Sequence, residues 1–116
     1  MPKDIFITEL SDLIKSGQAE IIDVREPDEY KLIRIKGAKL IPGSELAARQ
    51  EEIDWQKPVV FYCRSGVRSR LAANFFARQG REAFNLSGGI KACYKDKSFD
   101  NLEIPAAVEA VNEYLG

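Results

Sequence analysis

The sequence predicts an α/β fold: a mostly parallel sheet with helices on both faces. Short apolar runs alternate with stretches whose apolar residues recur at helical spacing, and the connections between them are short. The most apolar run, Pro58 to Tyr62, is apolar on both pleat faces, as a central parallel strand covered by helices must be.

Ile5 to Ile7 reads as a brief strand, and Thr8 as the N-cap of a helix with Leu10, Leu13 and Ile14 on one face, stopped by Gly17. Glu20 to Val24, "EIIDV", is a compact strand, and Pro27 opens one helical turn within "REPDEYKL". Glu26, Asp28 and Glu29 there read as a solvated face. "GAKLIPG", residues 37–43, gives another short strand, and Ser44 caps a helix through about Glu52. From about Ser69 to Gln79, Leu71, Ala72, Phe75 and Phe76 recur at helical spacing before Gly80. Ala83 to Leu86 is a further strand, "SGG" turns the chain, and a short helix covers Ile90 to Tyr94. A last helix opens at Pro105 with Val108, Val111 and Leu115 on one face, and "KDKSFDN", residues 95–101, is the candidate mobile join.

At 116 residues, with 45% apolar and 30% charged residues and no low-complexity tract, the chain has the profile of one soluble domain spanning residues 1–116. A formal net charge of -1 gives no reason to expect nucleic acid or a membrane surface as partner, so any anion site is local. The segment "MPKDIFITELSDLIKSG" lacks the apolar core of a secretory signal, and a cytoplasmic protein is expected. Cys63 and Cys93 are too few for a disulfide framework and form no C-x-x-C pair. Histidine is absent, which removes Cys-His and Ser-His pairs and most zinc sites, and no metal or cofactor is expected.

The chemistry converges on "CRSGVRS", residues 63–69. Ligands of parallel sheets bind beyond the carboxyl ends of strands, where helix N-termini offer unpaired N–H groups and partial positive charge. Cys63 stands at such a place. A thiol with pKa near 8.5 is only a few per cent ionised at pH 7, and each unit of depression needs about 1.4 kcal/mol of preference for the thiolate. Amides, a helix end and nearby arginines can supply it without a histidine. Ser65, Gly66 and Ser69 suit a tight cradle, Arg68 can hold an oxyanion bidentately, and Arg64 and Arg70 either add field or face solvent. A lone cysteine after an apolar strand is more often a small buried hydrophobe. Here two arginines, two serines and a glycine follow it within six residues, which favours a nucleophile that must be ionised and reachable from water.

On four segments in order the sequence resembles the rhodanese family, single-domain thiosulfate sulfurtransferase type. They are "IIDVREPDEY" (21–30), "KGAKLIP" (36–42), "CRSGVRS" (63–69) and "NLSGGIKA" (85–92). The resemblance implies a five-stranded, mostly parallel sheet flanked by helices. It also implies transfer of a sulfane sulfur from a small anionic donor such as thiosulfate, or from another persulfide or polysulfide, to a thiol, cyanide or thioredoxin-like acceptor. Carried over by position, Cys63 is nucleophile and persulfide carrier. The amides of Arg64, Ser65, Gly66, Val67, Arg68 and Ser69 cradle the outer sulfur, and Arg68 binds the donor's oxyanion. Asp23 and Arg25 are expected to pin a loop. Cys93 either fills space or resolves the persulfide.

Related phosphatases place five residues between cysteine and arginine, whereas here four separate Cys63 from Arg68, which favours sulfur over phosphate. The alternatives are a non-catalytic sulfur-carrier or docking module, or a phosphatase or arsenate reductase. Two positions depart from the family pattern. Ile33, Arg34 and Ile35 stand where many members have Gly-His-Ile, and Cys93 stands where many have tryptophan.

Overall fold

The computed structural model describes residues 3–116. In chain order the elements are β1 (Lys3–Ile5), α1 (Ile7–Ser16), β2 (Glu20–Asp23), α2 (Pro27–Leu32), β3 (Arg34–Ile35), β4 (Lys39–Leu40), two 3-10 turns (Gly43–Glu45 and Gln50–Glu52), β5 (Val59–Tyr62), α3 (Val67–Ala77), β6 (Ala83–Leu86), α4 (Gly89–Lys95), β7 (Leu102–Glu103) and α5 (Val108–Leu115). Five strands form one parallel sheet in the order β1-β6-β5-β2-β4, with β5 central. All four residues of β5 are buried, as its unbroken apolar sequence requires.

The alternating strand residues feed two cores. Ile21, Val60, Tyr62 and Leu86 join Leu10 of α1, Ile90 and Cys93 of α4, and Val111 and Leu115 of α5. Ile22, Phe61 and Cys63 join Ala72, Ala73 and Phe76 of α3, where Phe61 and Phe76 stack with centroids 5.5 Å apart. Among the described residues no helix is long and apolar enough to cross a membrane.

Four local expectations are corrected. The first strand ends at Ile5 and the helix after it starts ahead of Thr8, because the Glu9 carboxylate accepts the Phe6 N–H at 3.0 Å and moves the N-terminus back. Ser44 caps no α-helix; residues 43–52 form two 3-10 turns. Leu71 and Phe75 of α3 and Val108 of α5 face solvent, while their neighbours Ala72, Phe76 and Val111 are buried. Residues 95–101 are anchored rather than loose: Phe99 is buried, Asp96 accepts from Ser98, and β7, just beyond, pairs antiparallel with β3.

Candidate active site

Cys63 follows β5 directly, and Gly66, at φ 105°, turns the chain into α3. A side chain at Gly66 would be strained at that angle, its Cβ just touching the Gly88 amide and Leu86 carbonyl at 3.4 Å. The resulting loop curls back on the sulfur: the Gly66 N–H donates to Cys63 Sγ at 3.1 Å, and Ser69 Oγ lies 3.3 Å away. Burial pushes the Cys63 thiol up. The Ser69 hydroxyl and the amides of Ser69, Gly66 and Ser65 outweigh it, and the net direction is downward. Ser69 also donates to Asn85 Oδ1 at 2.6 Å, so its single hydrogen serves the sulfur or the amide oxygen, one at a time. A reachable sulfur is not what this conformation presents: Cys63 is 1% exposed, packed into the core on the α3 side.

The outer side of the loop is clamped by α4. The amides of Ile90 and Lys91 donate to the carbonyls of Cys63 and Arg64, both at 3.0 Å. With these carbonyls drawn toward α4, the amides of the following residues are left to face Sγ. Gly89, at φ 61°, permits the approach, since a Cβ there would sit 2.7 Å from the Cys63 carbonyl oxygen.

The three loop arginines are engaged. Arg68 Nη1 and Nη2 donate to Glu29 Oε1 and Oε2 at 2.8 and 2.9 Å. Arg70 Nη1 spans both Asp4 carboxylate oxygens at 2.7 and 2.8 Å, and Arg64 Nε donates to the Tyr114 carbonyl at 2.9 Å. Neither Arg64 nor Arg70 touches Sγ: Arg64 is turned inward to Tyr114, Arg70 faces solvent while paired with Asp4, and Glu29 is not part of a solvated face. It also accepts from the Glu26 amide and the Tyr114 hydroxyl. Burial raises its carboxyl, but Arg68 and the other donors prevail and bring it to about 2.

Asp23 and Arg25 form a fully buried ion pair away from the sulfur. Arg25 Nε and Nη2 donate to Asp23 at 2.9 and 2.7 Å. Arg25 Nη2 also reaches the Ile33 carbonyl at 2.6 Å and Nη1 reaches the Tyr114 hydroxyl at 3.2 Å, while the Tyr62 hydroxyl donates to Asp23 at 2.8 Å and accepts the Ile35 amide at 3.1 Å. The pair thus fixes Ile33 and Ile35 as buried residues on either side of Arg34, which lies over the Tyr30 ring and pairs with Glu103 of β7 at 2.9 Å. Cys93 is fully buried in the core of the opposite sheet face, and burial, with Asp96 nearby, pushes its thiol up to about 12.

Five residues of the site escaped the sequence reading. Glu29 had a signal, its place three residues after Glu26 in a helix opened by Pro27, and Asn85 had one as a polar residue inside the apolar strand "AFNL". Gly89 lay within the "SGG" read as a turn. Asp4 and Tyr114 had none, because they arrive from 81 residues before Asn85 and 85 residues after Glu29.

Residues 6–96 match the rhodanese-like domain family. The chain is 47% identical over 75 residues to the protein YqhL of Bacillus subtilis, an alignment covering 64% of this chain and 60% of that relative. It is 34% identical over 92 residues to the thiosulfate sulfurtransferase GlpE of Coxiella burnetii, covering 78% of this chain and 86% of the relative. Among solved structures, a rhodanese-like domain protein of Staphylococcus aureus superposes with TM-score 0.75 at 30% identity, covering 90% of this chain and 99% of that one. With its sheet order, its strand-loop-helix cradle and this match in hand, the chain belongs to the rhodanese-like domain family.

Proposed function

We propose that this protein is a sulfurtransferase that carries a sulfane sulfur on Cys63. The observation that supports it most is the contact of the Gly66 amide and the Ser69 hydroxyl with Cys63 Sγ, at 3.1 and 3.3 Å, in a loop that closes around one sulfur-sized anion. In the first half-reaction the loop opens to expose Cys63, whose thiolate attacks the outer sulfur of the donor. An S–S bond forms on Cys63, the donor's bond to that sulfur breaks, and the bonding pair leaves on sulfite (from thiosulfate) or on a thiolate (from a persulfide). In the second, a thiophile such as cyanide, a small thiol or a thioredoxin-like protein takes the outer sulfur and restores the thiolate. The amides from Arg64 to Ser69 hold the persulfide, and an oxyanion donor binds Arg68 in exchange for Glu29. Both cysteines are free, which suits a reducing, cytoplasmic setting.

Thiosulfate mixed with the full chain should release one sulfite per Cys63 in a burst and add the mass of one sulfur, and Cys63→Ser should abolish both. No sulfite and no mass gain from thiosulfate or a persulfide rejects the enzyme. The 1% exposure of Cys63 favours one second reading, a carrier that receives sulfur only after a partner protein docks and opens the loop. A mass gain from a persulfidated protein, with none from small donors, would select it.

A further inference from the structure

We propose that Glu29 sets the donor class, turning the site away from dianionic oxyanion donors such as thiosulfate and toward persulfide or polysulfide sulfur. This rests on Cys63 being the sulfur carrier. Arg68 is the loop residue suited to an oxyanion, and both of its terminal amino groups already hold a carboxylate that mimics one. That carboxylate is itself held. Glu29 Oε1 accepts from the Glu26 amide at 3.0 Å and from Arg68, and Oε2 accepts from Arg68 and the Tyr114 hydroxyl, so four donors fill its acceptor positions. Swinging aside would forfeit all of them.

The other loop cations do not replace Arg68. Arg70 is matched by Asp4, and Arg64 is turned to the Tyr114 carbonyl. A donor with two negative charges therefore meets the Glu29 carboxylate and the Cys63 thiolate with little uncompensated positive charge. A persulfide, R–S–SH, has no oxyanion to place. Beside Arg68 lies a cleft walled mostly by Val24, Leu46, Ala47, Leu71 and Phe75, with Glu26 and Ser44 also lining it. This largely apolar surface suits an uncharged organic portion R, and Glu26 sets a further negative charge against a dianion.

The step balances without an added oxidant. The Cys63 thiolate bonds to the outer sulfur, the donor's S–S bond breaks, its electron pair leaves on R–S⁻, and the proton stays on the transferred sulfur. Cys63 is oxidised to the persulfide as the donor's inner sulfur is reduced to the thiolate.

Single-turnover loading of the full chain by thiosulfate and by an alkyl persulfide without carboxylates, compared between wild type and Glu29→Gln, tests the proposal. Removing the charge should raise the second-order rate with thiosulfate about tenfold and change that with persulfide less than about twofold, the size a like-charge contact at the rim of a site commands. A merely structural Glu29 would alter both donors in parallel, and that outcome, or a selective loss with thiosulfate, overturns the inference. Should Glu29→Gln not fold, Tyr114→Phe, which takes one donor from Glu29, should give a gain of about twofold to threefold with thiosulfate alone; no selective gain overturns it. Loading by neither donor in wild type rejects the sulfurtransferase reading itself, a result distinct from loading by both with no dependence on Glu29.

Discussion

The Ile90 amide donates to the Cys63 carbonyl at 3.0 Å, so the loop that faces the sulfur is held from behind by the first turn of α4. Gly89→Ala should therefore damage the site as well as the fold. The added Cβ would press on the Cys63 carbonyl in a positive-φ backbone, and a loss of about 2 kcal/mol or more is expected in urea unfolding, together with slower neutral-pH alkylation of Cys63. Gly80→Ala is the control. At φ 82° it is strained, but nothing lies within 4 Å, so it should cost about 1 kcal/mol and leave alkylation unchanged. Equal alkylation rates in the two variants would refute the clamp.

Ser69 is the side chain nearest the sulfur among the donors that lower Cys63. Ser69→Ala should move the pH midpoint of Cys63 alkylation upward and slow sulfur loading near neutral pH about tenfold, the worth of one hydrogen bond to an anion. It also strips Asn85 Oδ1 of its buried donor, so a stability loss of about 1 kcal/mol should accompany it. An unchanged alkylation midpoint would assign the thiolate to the amides alone.

Much of this was legible in the sequence, and what was not has physical reasons. The parallel sheet followed from "VVFY" being apolar on both faces, and the cradle from one glycine between a strand and a helix with small serines around it; both are local patterns. The partners of the arginines were not legible. Arg68 and Arg70 find carboxylates 39 and 66 residues away, and isolated carboxylates near a helix start look the same in sequence whether they are solvated or paired. The start of α1 differs from the expected Thr8 cap because the Glu9 carboxylate accepts the Phe6 amide and makes Phe6 the N-cap. The strand β7 was missed because two residues, Leu102 and Glu103, carry no readable alternation.

The buried pair of Asp23 and Arg25 predicts an asymmetric response to mutation. Asp23→Ala leaves the fully buried Arg25 guanidinium without its counter-charge and strips the Tyr62 hydroxyl of its acceptor. A loss of about 3–5 kcal/mol, enough to unfold a domain of this size near 37 °C, is expected in thermal or urea denaturation. A loss below about 1 kcal/mol would mean that the pair is not the pin of this loop.

Glu29 and Tyr114 shape the pH dependence of stability at opposite ends. Glu29, lowered from the usual 4.5 to about 2, contributes stability that is fully present above pH 4.5 and is lost as pH falls toward 2. Tyr114, raised from 10.0 to about 12 by burial and by its bond to Glu29, contributes stability that is present below pH 10 and lost as pH rises toward 12. Glu29→Gln should flatten the acid limb of a stability profile, and Tyr114→Phe should reduce the alkaline limb, which Cys93 shares. An acid limb as steep in Glu29→Gln as in wild type would contradict the pairing with Arg68.

Cys93 packs among Ile90, Leu86 and Val111, in the core across the sheet from Cys63, and its thiol, raised to about 12, is un-ionised at every pH where transfer would be measured. A resolving thiol has to be ionised and must approach the persulfide sulfur, so Cys93 would have to leave that core first. Cys93→Ser should leave cyanide-dependent turnover within about twofold of wild type, while costing about 1–2 kcal/mol for a buried hydroxyl without a designed partner. In the native protein an alkylating reagent at pH 8 should label Cys63 and spare Cys93, with labelling of Cys93 appearing only in denaturant. Normal sulfur loading coupled to lost turnover in Cys93→Ser would give this thiol a part in the second half-reaction.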